Sequence, residues 1–221
     1  MNNNQRNETM KKIQIICAAL LLSLIPARTL AQKYEMPKNV IKMSGGLSFI
    51  TSKMYIEDEV TGNIRKSSWK SGTTALLEYE HMLDGKWGFG MNFIYNDTRY
   101  PRNSNYNSKT TQALRQIYIG PSIVRRSIVG NRWCFEGAFG LGFCHVGGDL
   151  LDKCPGIGIM LKGGVEYMFS KHVGIGAELN DVLTFFGSNN TEYLRKIDPN
   201  DRSFISGTSR IELAAGIRFY F

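Results

Sequence analysis

Residues 132–145 read RWCFEGAFGLGFCH. Aromatic or aliphatic side chains occupy five of the six odd positions from Trp133 to Phe143, whereas the even positions hold glycines, Glu136 and other small residues. A period of two is the repeat of a β-strand, because successive side chains point to opposite faces of the sheet. The stretch therefore predicts a strand with one large apolar face and one small or charged face.

Seven further segments of the 221-residue chain repeat this parity. In the cores of the eight segments, the 41 odd positions include 14 aromatic residues and no Asp, Glu, Lys or Arg. The even positions hold eleven glycines and nine charged residues. One continuous sheet with two different environments is the simplest reading of this pattern. The predicted strands are residues 41–51, 74–82, 86–96, 112–124, 132–145, 156–169, 173–184 and 206–221.

The connections between these strands alternate between long and short. The first short one is Leu83-Asp84-Gly85, and Asp-Gly is a tight-hairpin signal. An even number of strands with alternating connections places both termini and all short turns at one end, as in bacterial outer-membrane barrels. The sequence therefore predicts an all-β fold, an eight-stranded antiparallel up-and-down transmembrane β-barrel.

The alternative is a soluble, lipocalin-like barrel with the apolar face inside. Eight strands enclose a space just wide enough for side chains to fill, and the aromatic rings of the odd face would overfill it. Facing outwards, the same rings require lipid, since a soluble surface rarely tolerates so large an apolar patch. The odd face is thus predicted to contact lipid, with aromatic girdles at both interfaces.

The first residues carry an export pattern. Lys11 and Lys12 precede an apolar run of about a dozen residues, which is too short for a spanning helix and is broken by Ser23 and Pro26. We predict a signal peptide at residues 1–31, a short periplasmic segment at 32–40 and the barrel at 41–221. Removing residues 1–31 takes away four basic groups and one acidic group, so the net charge falls from +8 to +5.

The carboxyl terminus carries a family resemblance. The ending GIRFYF, residues 216–221, resembles the signal by which the assembly machinery recognises outer-membrane barrels, with Gly216, Phe219 and Phe221 as its elements. Ala214 departs from it, since a polar residue is usual there. Together with LEYE (77–80), WGFG (87–90) and YIGP (118–121), the ending resembles the small outer-membrane β-barrel family of Bacteroidota, related in architecture to OmpA and OmpX. The resemblance implies an outer-membrane location and names no ligand.

Charged residues on the even face are predicted to line a narrow lumen. Unpaired charges away from bulk water are costly, so these residues should neutralise one another and plug the barrel. We expect Lys162 to pair with Glu178 or Glu136, and Arg218 to pair with glutamates at the short-turn end. A gated ion path is the alternative. The predicted network consists of Lys42, Glu78, Glu80, Glu136, Lys162, Glu166, Glu178, Arg210, Glu212 and Arg218.

Three other kinds of function were weighed. A lipid-A-modifying enzyme would need a histidine beside a serine and an acidic residue, yet no serine is placed beside His81, His145 or His172 by strand spacing. Basic and aromatic residues in segments 52–73 and 97–111 favour contact with lipopolysaccharide phosphates or with a surface ligand. Nucleic-acid binding is disfavoured because the basic residues are dispersed. We expect no catalytic site, no metal, no cofactor, and a monomer in outer-membrane lipid.

Three cysteines remain after the signal peptide, so at least one is unpaired. Cys134 and Cys144 are too far apart along one strand to bond. Cys144 and Cys154 flank a short segment and could close it if their strands pair, which leaves either a disulfide between them or three free thiols. Zinc is disfavoured because no histidine lies at ligand spacing.

Overall fold

The computed structural model describes residues 37–51, 55–57, 64–66, 71–102, 110–130, 132–148, 154–186 and 206–221. No helix among these residues is long and apolar enough to span a membrane. The described secondary structure consists of strands. They are β1 (Asn39–Ile50), β2 (Tyr55–Glu57), β3 (Ile64–Lys66), β4 (Ser71–Met82), β5 (Trp87–Arg102), β6 (Thr110–Val129), β7 (Trp133–Gly148), β8 (Cys154–Met168), β9 (Val173–Phe186) and β10 (Ser206–Tyr220).

Eight of these strands form a closed barrel in the order β1-β10-β9-β8-β7-β6-β5-β4. Every neighbouring pair is antiparallel. The last strand closes on the first, where the backbone N–H of Asn39 donates to the carbonyl of Phe221 and the reverse bond also forms, both at 3.0 Å. Closure leaves no unpaired sheet edge. The predicted eight-stranded up-and-down barrel is confirmed.

The strand ends differ from the prediction in two places. Segment 52–73 was expected to be a connection only, yet β2 and β3 pair within it as a small separate hairpin. In the barrel, β6 continues to Val129, five residues past the predicted end at 124, so the following turn is shorter than expected. Gly130 in that turn has a positive φ of 65°. Positive φ costs a glycine little, and this allows the abrupt reversal.

The turn after β4 is held by a side chain. Gly85 adopts a positive φ of 76°. The Asp84 carboxylate accepts hydrogen bonds from the backbone N–H groups of Trp87 at 2.6 Å and Lys86 at 2.9 Å. Hydrogen bonding of this kind is why aspartate is common in turns, so the Asp-Gly hairpin prediction is confirmed.

The two faces of the barrel separate by parity. Each exposed large apolar side chain in the described part of the barrel stands at an odd position, and each buried side chain at an even one. Trp87, Trp133 and Phe219 are among the exposed residues at the short-turn end. There the rings of Trp133 and Tyr167 lie 4.9 Å apart, and Arg125 lies over the Trp87 ring. An apolar exterior with interfacial aromatics is the arrangement that a hydrocarbon surrounding requires.

The amino-terminal boundary also shifts slightly. β1 begins at Asn39, so residues 39 and 40, expected in the periplasmic segment 32–40, belong to the barrel wall. Residues 1–36 lie outside the described part of the chain. The signal peptide at 1–31 therefore stays a prediction.

Candidate functional site

The candidate site is the lumen. All ten residues of the predicted network are buried in the barrel interior, each with at most 3% of its surface exposed. One luminal charge was missed by the sequence reading. Arg126 was assigned to a turn, but the extension of β6 continues the even parity and brings its side chain inside with 1% exposure.

Lys162 is one centre of the luminal charges. Its Nζ atom lies 2.6 Å from Glu78 Oε2, 3.0 Å from Glu80 Oε1 and 2.7 Å from Glu136 Oε1. The predicted pairing with Glu136 is therefore formed, whereas Glu178 contacts Arg218 instead. An ammonium group has three donors, and here each one meets a different carboxylate.

Lys42 and Arg126 join the same carboxylates from other sides. The Lys42 ammonium lies 2.9 Å from Glu80 and 2.9 Å from Glu166, and it also contacts Glu136. The Arg126 guanidinium pairs with Glu80, and its Nε lies 3.1 Å from Glu136. Each shared carboxylate thus binds more than one base, which links the separate pairs into one cluster.

Arg218 extends this cluster towards the short-turn end, as expected. Its guanidinium lies 3.2 Å from Glu166 and 3.3 Å from Glu178. Gly176 makes room for it, because a Cβ atom there would lie 3.0 Å from two guanidinium nitrogens. The Tyr220 hydroxyl donates to the second oxygen of Glu166 at 2.8 Å.

Nine charged side chains therefore form a single cluster held by ten ion-pair contacts, which we call the ion-pair network. Buried charges are tolerated when they are paired in this way. The network consists of Lys42, Glu78, Glu80, Arg126, Glu136, Lys162, Glu166, Glu178 and Arg218.

Three of its carboxylates could in principle hold a metal ion. Ligand oxygens of Glu78, Glu80 and Glu136 lie within 4.8 Å of one another. The Lys162 ammonium already lies within 3.0 Å of all three residues and supplies the positive charge that a cation would bring. The arrangement is that of an internal ion pair.

Apolar side chains occupy the lumen on both sides of the network. Val40, Met168 and Tyr220 form a buried cluster near the short turns. A second cluster lies beyond the network towards the long connections: on β4 the inward order is Glu78 then Leu76, and on β8 it is Lys162 then Met160. We call this second cluster the apolar layer; it consists of Leu76, Ile94, Tyr118, Cys144, Met160, Val182 and Ala214.

Arg210 and Glu212 lie apart from the ion-pair network, on the long-connection side of the apolar layer. On β10 the inward positions run from Arg218 through Ala214 to Glu212 and Arg210. Arg210 donates to the hydroxyls of Ser48 at 3.2 Å and Thr98 at 2.9 Å. Glu212 accepts a hydrogen bond from Asn96 at 2.7 Å. The predicted network is thus divided into two groups.

The three histidines do not form a catalytic arrangement. The Nδ1 atom of His81 lies 2.8 Å from the Asn39 amide oxygen, and that of His172 lies 3.2 Å from the Tyr220 carbonyl oxygen. His145 stands on β7 opposite Ile117 and Pro155. None of these ring contacts in the described part of the chain is to a serine or a carboxylate, which a hydrolytic site would need.

The cysteines differ from the disulfide prediction. Cys134 and Cys144 are free and buried. Cys144 stands opposite Gly156, whereas Cys154 is opposite Val146, so the two cysteines are offset along the paired strands. The Thr184 hydroxyl donates to the Cys144 sulfur at 3.2 Å. The expected bond from Cys144 to Cys154 is therefore not formed in this structure, and the side chain of Cys154 lies outside the described residues.

The elements of the assembly signal lie at the barrel seam. Gly216 on β10 stands opposite Ser44 of β1, and Phe219 stands opposite Ile41. Phe219 and Phe221 both point outwards and are exposed. Their recognition by the assembly machinery stays a prediction.

Solved structures similar to this chain are outer-membrane barrels. Neisserial surface protein A (NspA) is 14% identical with a TM-score of 0.56, over 83% of this chain and 97% of that chain. OprG from Pseudomonas aeruginosa is 12% identical with a TM-score of 0.47, over 84% and 97%. Ail, the attachment invasion locus protein of Yersinia pestis, is 12% identical with a TM-score of 0.45, over 82% and 99%. No curated protein sequence matches the chain.

The likeness to NspA supports the fold. A family model gives the membership, since the model described as the outer membrane protein beta-barrel domain matches residues 17–219. The closed antiparallel barrel, its apolar exterior and its polar interior agree with that match. The chain therefore belongs to the outer-membrane β-barrel domain family and is an integral protein of the outer membrane.

Proposed function

We propose that this protein is a structural or surface-interacting barrel whose narrow polar lumen is plugged by its own side chains. The observation that carries the proposal is the ion-pair network, in which every base contacts at least two carboxylates. An ion crossing the barrel would have to separate these pairs. It would also have to cross the apolar layer, where dehydration is costly.

Planar-bilayer conductance of the refolded mature chain tests the plug. The expected result for the native chain is no large, steady channel. Lys162→Ala and Arg218→Ala remove one base each and should raise the frequency of openings, because carboxylates lose their partner. Lys171→Ala, at an exposed turn, serves as the matched control. Large steady channels in the native chain would contradict the plug and favour an ion path.

A surface role is supported by two outward arginines at the long-connection end. The Arg99 side chain is 70% exposed and lies 3.0 Å from Asp97, which stands opposite Arg115 in register. Long connections face the cell exterior in outer-membrane barrels. The two guanidinium groups would therefore lie near the level of lipopolysaccharide phosphates, to which arginine donates paired hydrogen bonds.

Lipopolysaccharide binding to the refolded barrel tests this role. Arg99→Met with Arg115→Met should weaken binding about tenfold, at about 1.4 kcal/mol in total. Lys86→Met with Lys171→Met removes the same charge at the opposite end and should leave binding unchanged. Equal losses in both double variants would show that only net charge matters and would contradict a site at Arg99 and Arg115.

We also infer that the protein is not an enzyme, on the ring contacts of its histidines described above. The acyl pattern of lipid A, measured by mass spectrometry in cells with and without the protein, should be the same. A changed pattern that reverts with the native chain would overturn this inference.

A further inference from the structure

The lumen contains a second polar group of residues with a different bonding state from the ion-pair network. We call it the outer compartment and define it as Ser48, Thr74, Asn96, Thr98, Arg210 and Glu212. Arg210 and Glu212 have at most 1% of their surface exposed. In the described part of the chain neither forms an ion pair within 4.0 Å, although every base of the ion-pair network does.

Several polar atoms of the outer compartment have no hydrogen-bond partner among the described residues. These atoms are Arg210 Nε, Glu212 Oε2, Asn96 Oδ1 and Thr74 Oγ1. Arg210 uses Nη1 for the Ser48 and Thr98 hydroxyls. Each of those hydroxyls accepts from the guanidinium and keeps its own proton to donate. Donors therefore gather around Arg210, while a free acceptor remains on Glu212.

Buried polar atoms without a partner are costly, and native structures satisfy most of them with protein, water or a ligand. The charges decide which ligand would fit. A simple anion at Arg210 would be repelled by Glu212, and a simple cation at Glu212 would be repelled by Arg210. A molecule carrying both charges satisfies both groups and leaves the compartment neutral.

We propose that the outer compartment binds a small zwitterion of the amino-acid class. Its carboxylate accepts from Arg210 Nε and the hydroxyls of Ser48 and Thr98, and its ammonium group donates to Glu212 Oε2. Arg210 and Glu212 occupy successive inward positions on β10, about 7 Å apart along the strand. A ligand of only a few heavy atoms spans that separation. The apolar layer forms the floor of the site, so binding does not depend on whether the lumen conducts.

Calorimetric titration of the refolded mature chain in detergent tests the proposal. The probes are glycine, β-alanine and γ-aminobutyrate, in which the two charges are progressively further apart. Acetate and methylammonium each carry one of the charges. At least one zwitterion should bind about tenfold or more tightly than either single-charge probe, because it makes both charged contacts.

Two substitutions locate the site. Arg210→Met and Glu212→Gln should each weaken binding of the preferred zwitterion about tenfold or more. Arg132→Met and Asp84→Asn make the same chemical changes at the short-turn end and should leave the affinity unchanged. Folding of each variant is checked by the gel mobility of unheated and heated samples.

The native chain alone can overturn the proposal, so it stays testable if a variant fails to fold. If no zwitterion binds better than acetate and methylammonium, the unpaired atoms contact only water. If acetate binds as well as the best zwitterion, the site is an anion site at Arg210. Binding that survives both Arg210→Met and Glu212→Gln would place the ligand elsewhere on the barrel.

Discussion

The Lys162 ammonium lies 2.7 Å from Glu136 Oε1 at the centre of the lumen, although these residues are not opposite each other in register. Lys162 stands opposite Ala138, and Glu136 stands opposite Gly164. The pair is therefore diagonal, and the reach of the lysine side chain closes the gap. Because Lys162 also contacts Glu78 and Glu80, its loss leaves three buried carboxylates short of a partner.

Lys162→Met should therefore be strongly destabilising. Removing one partner of a buried pair costs about 3 to 5 kcal/mol, since the remaining charge is not compensated. Urea unfolding in detergent, followed by tryptophan fluorescence, measures the change. Lys171→Met removes an exposed lysine and should stay within about 0.5 kcal/mol. Equal stability of the two variants would mean that the network does not stabilise the barrel.

Arg126 and Glu80 should be energetically coupled. Their ion pair is buried and joins β6 to β4 across the lumen. A double-mutant cycle with Arg126→Met and Glu80→Gln should give a coupling of about 0.5 to 3 kcal/mol, as for residues that share a network. Arg132→Met combined with Glu80→Gln is the control and should be additive. Additivity in the first cycle would contradict the Arg126 contact.

The lipid face should resist charge according to depth. Leu141 is outward on the middle of β7, so Leu141→Arg places a guanidinium in hydrocarbon at a cost of about 2 to 4 kcal/mol. Leu83→Arg, at a short turn near the interface, should cost about 0 to 1 kcal/mol. Unfolding from lipid vesicles measures both. A greater loss at Leu83 would contradict the assigned membrane level.

Gly216 should be required for closing the seam. A Cβ atom there would collide with the backbone carbonyl of Met43 and Cα of Ser44. Gly216→Val should therefore cost about 1 to 3 kcal/mol through strain between β10 and β1. At Gly163, which faces outwards, a Cβ would meet nothing within 4 Å, so Gly163→Val is the matched control. The folded fraction after refolding, read from gel mobility, should fall only for Gly216→Val.

The first short turn should respond to acid through Asp84. Hydrogen bonds from the backbone of Trp87 and then Lys86 hold the pKa of this carboxyl below its usual range. Because the folded pKa is lower than the unfolded one, the stabilisation is present above about pH 3.9 and is lost as the pH falls through the folded pKa. Carboxyl NMR should give a lower midpoint in the barrel than in the urea-unfolded chain. Equal midpoints would contradict these bonds.

The direction in which each barrel side chain points could be predicted from the sequence. Trp133, Phe135 and Glu136 reveal their faces by parity, and parity is a local property of an extended chain. Arg126 was missed for a local reason as well, because the predicted strand stopped at residue 124 and its even position was not counted. Uncharged residues such as Asn96 were missed because only charges were sought in the lumen.

The partners inside the lumen depend on closure. Lys42 is opposite Glu78 in register, yet its ammonium contacts Glu80, Glu136 and Glu166. Glu136 and Glu166 lie on β7 and β8, which are not neighbours of β1 in the barrel order. The amino-acid order alone determined the strands, their two faces and the membrane environment, because these follow from a period of two. Only the tertiary structure decided which charges meet, since strand tilt and barrel closure bring distant strands together across a narrow interior.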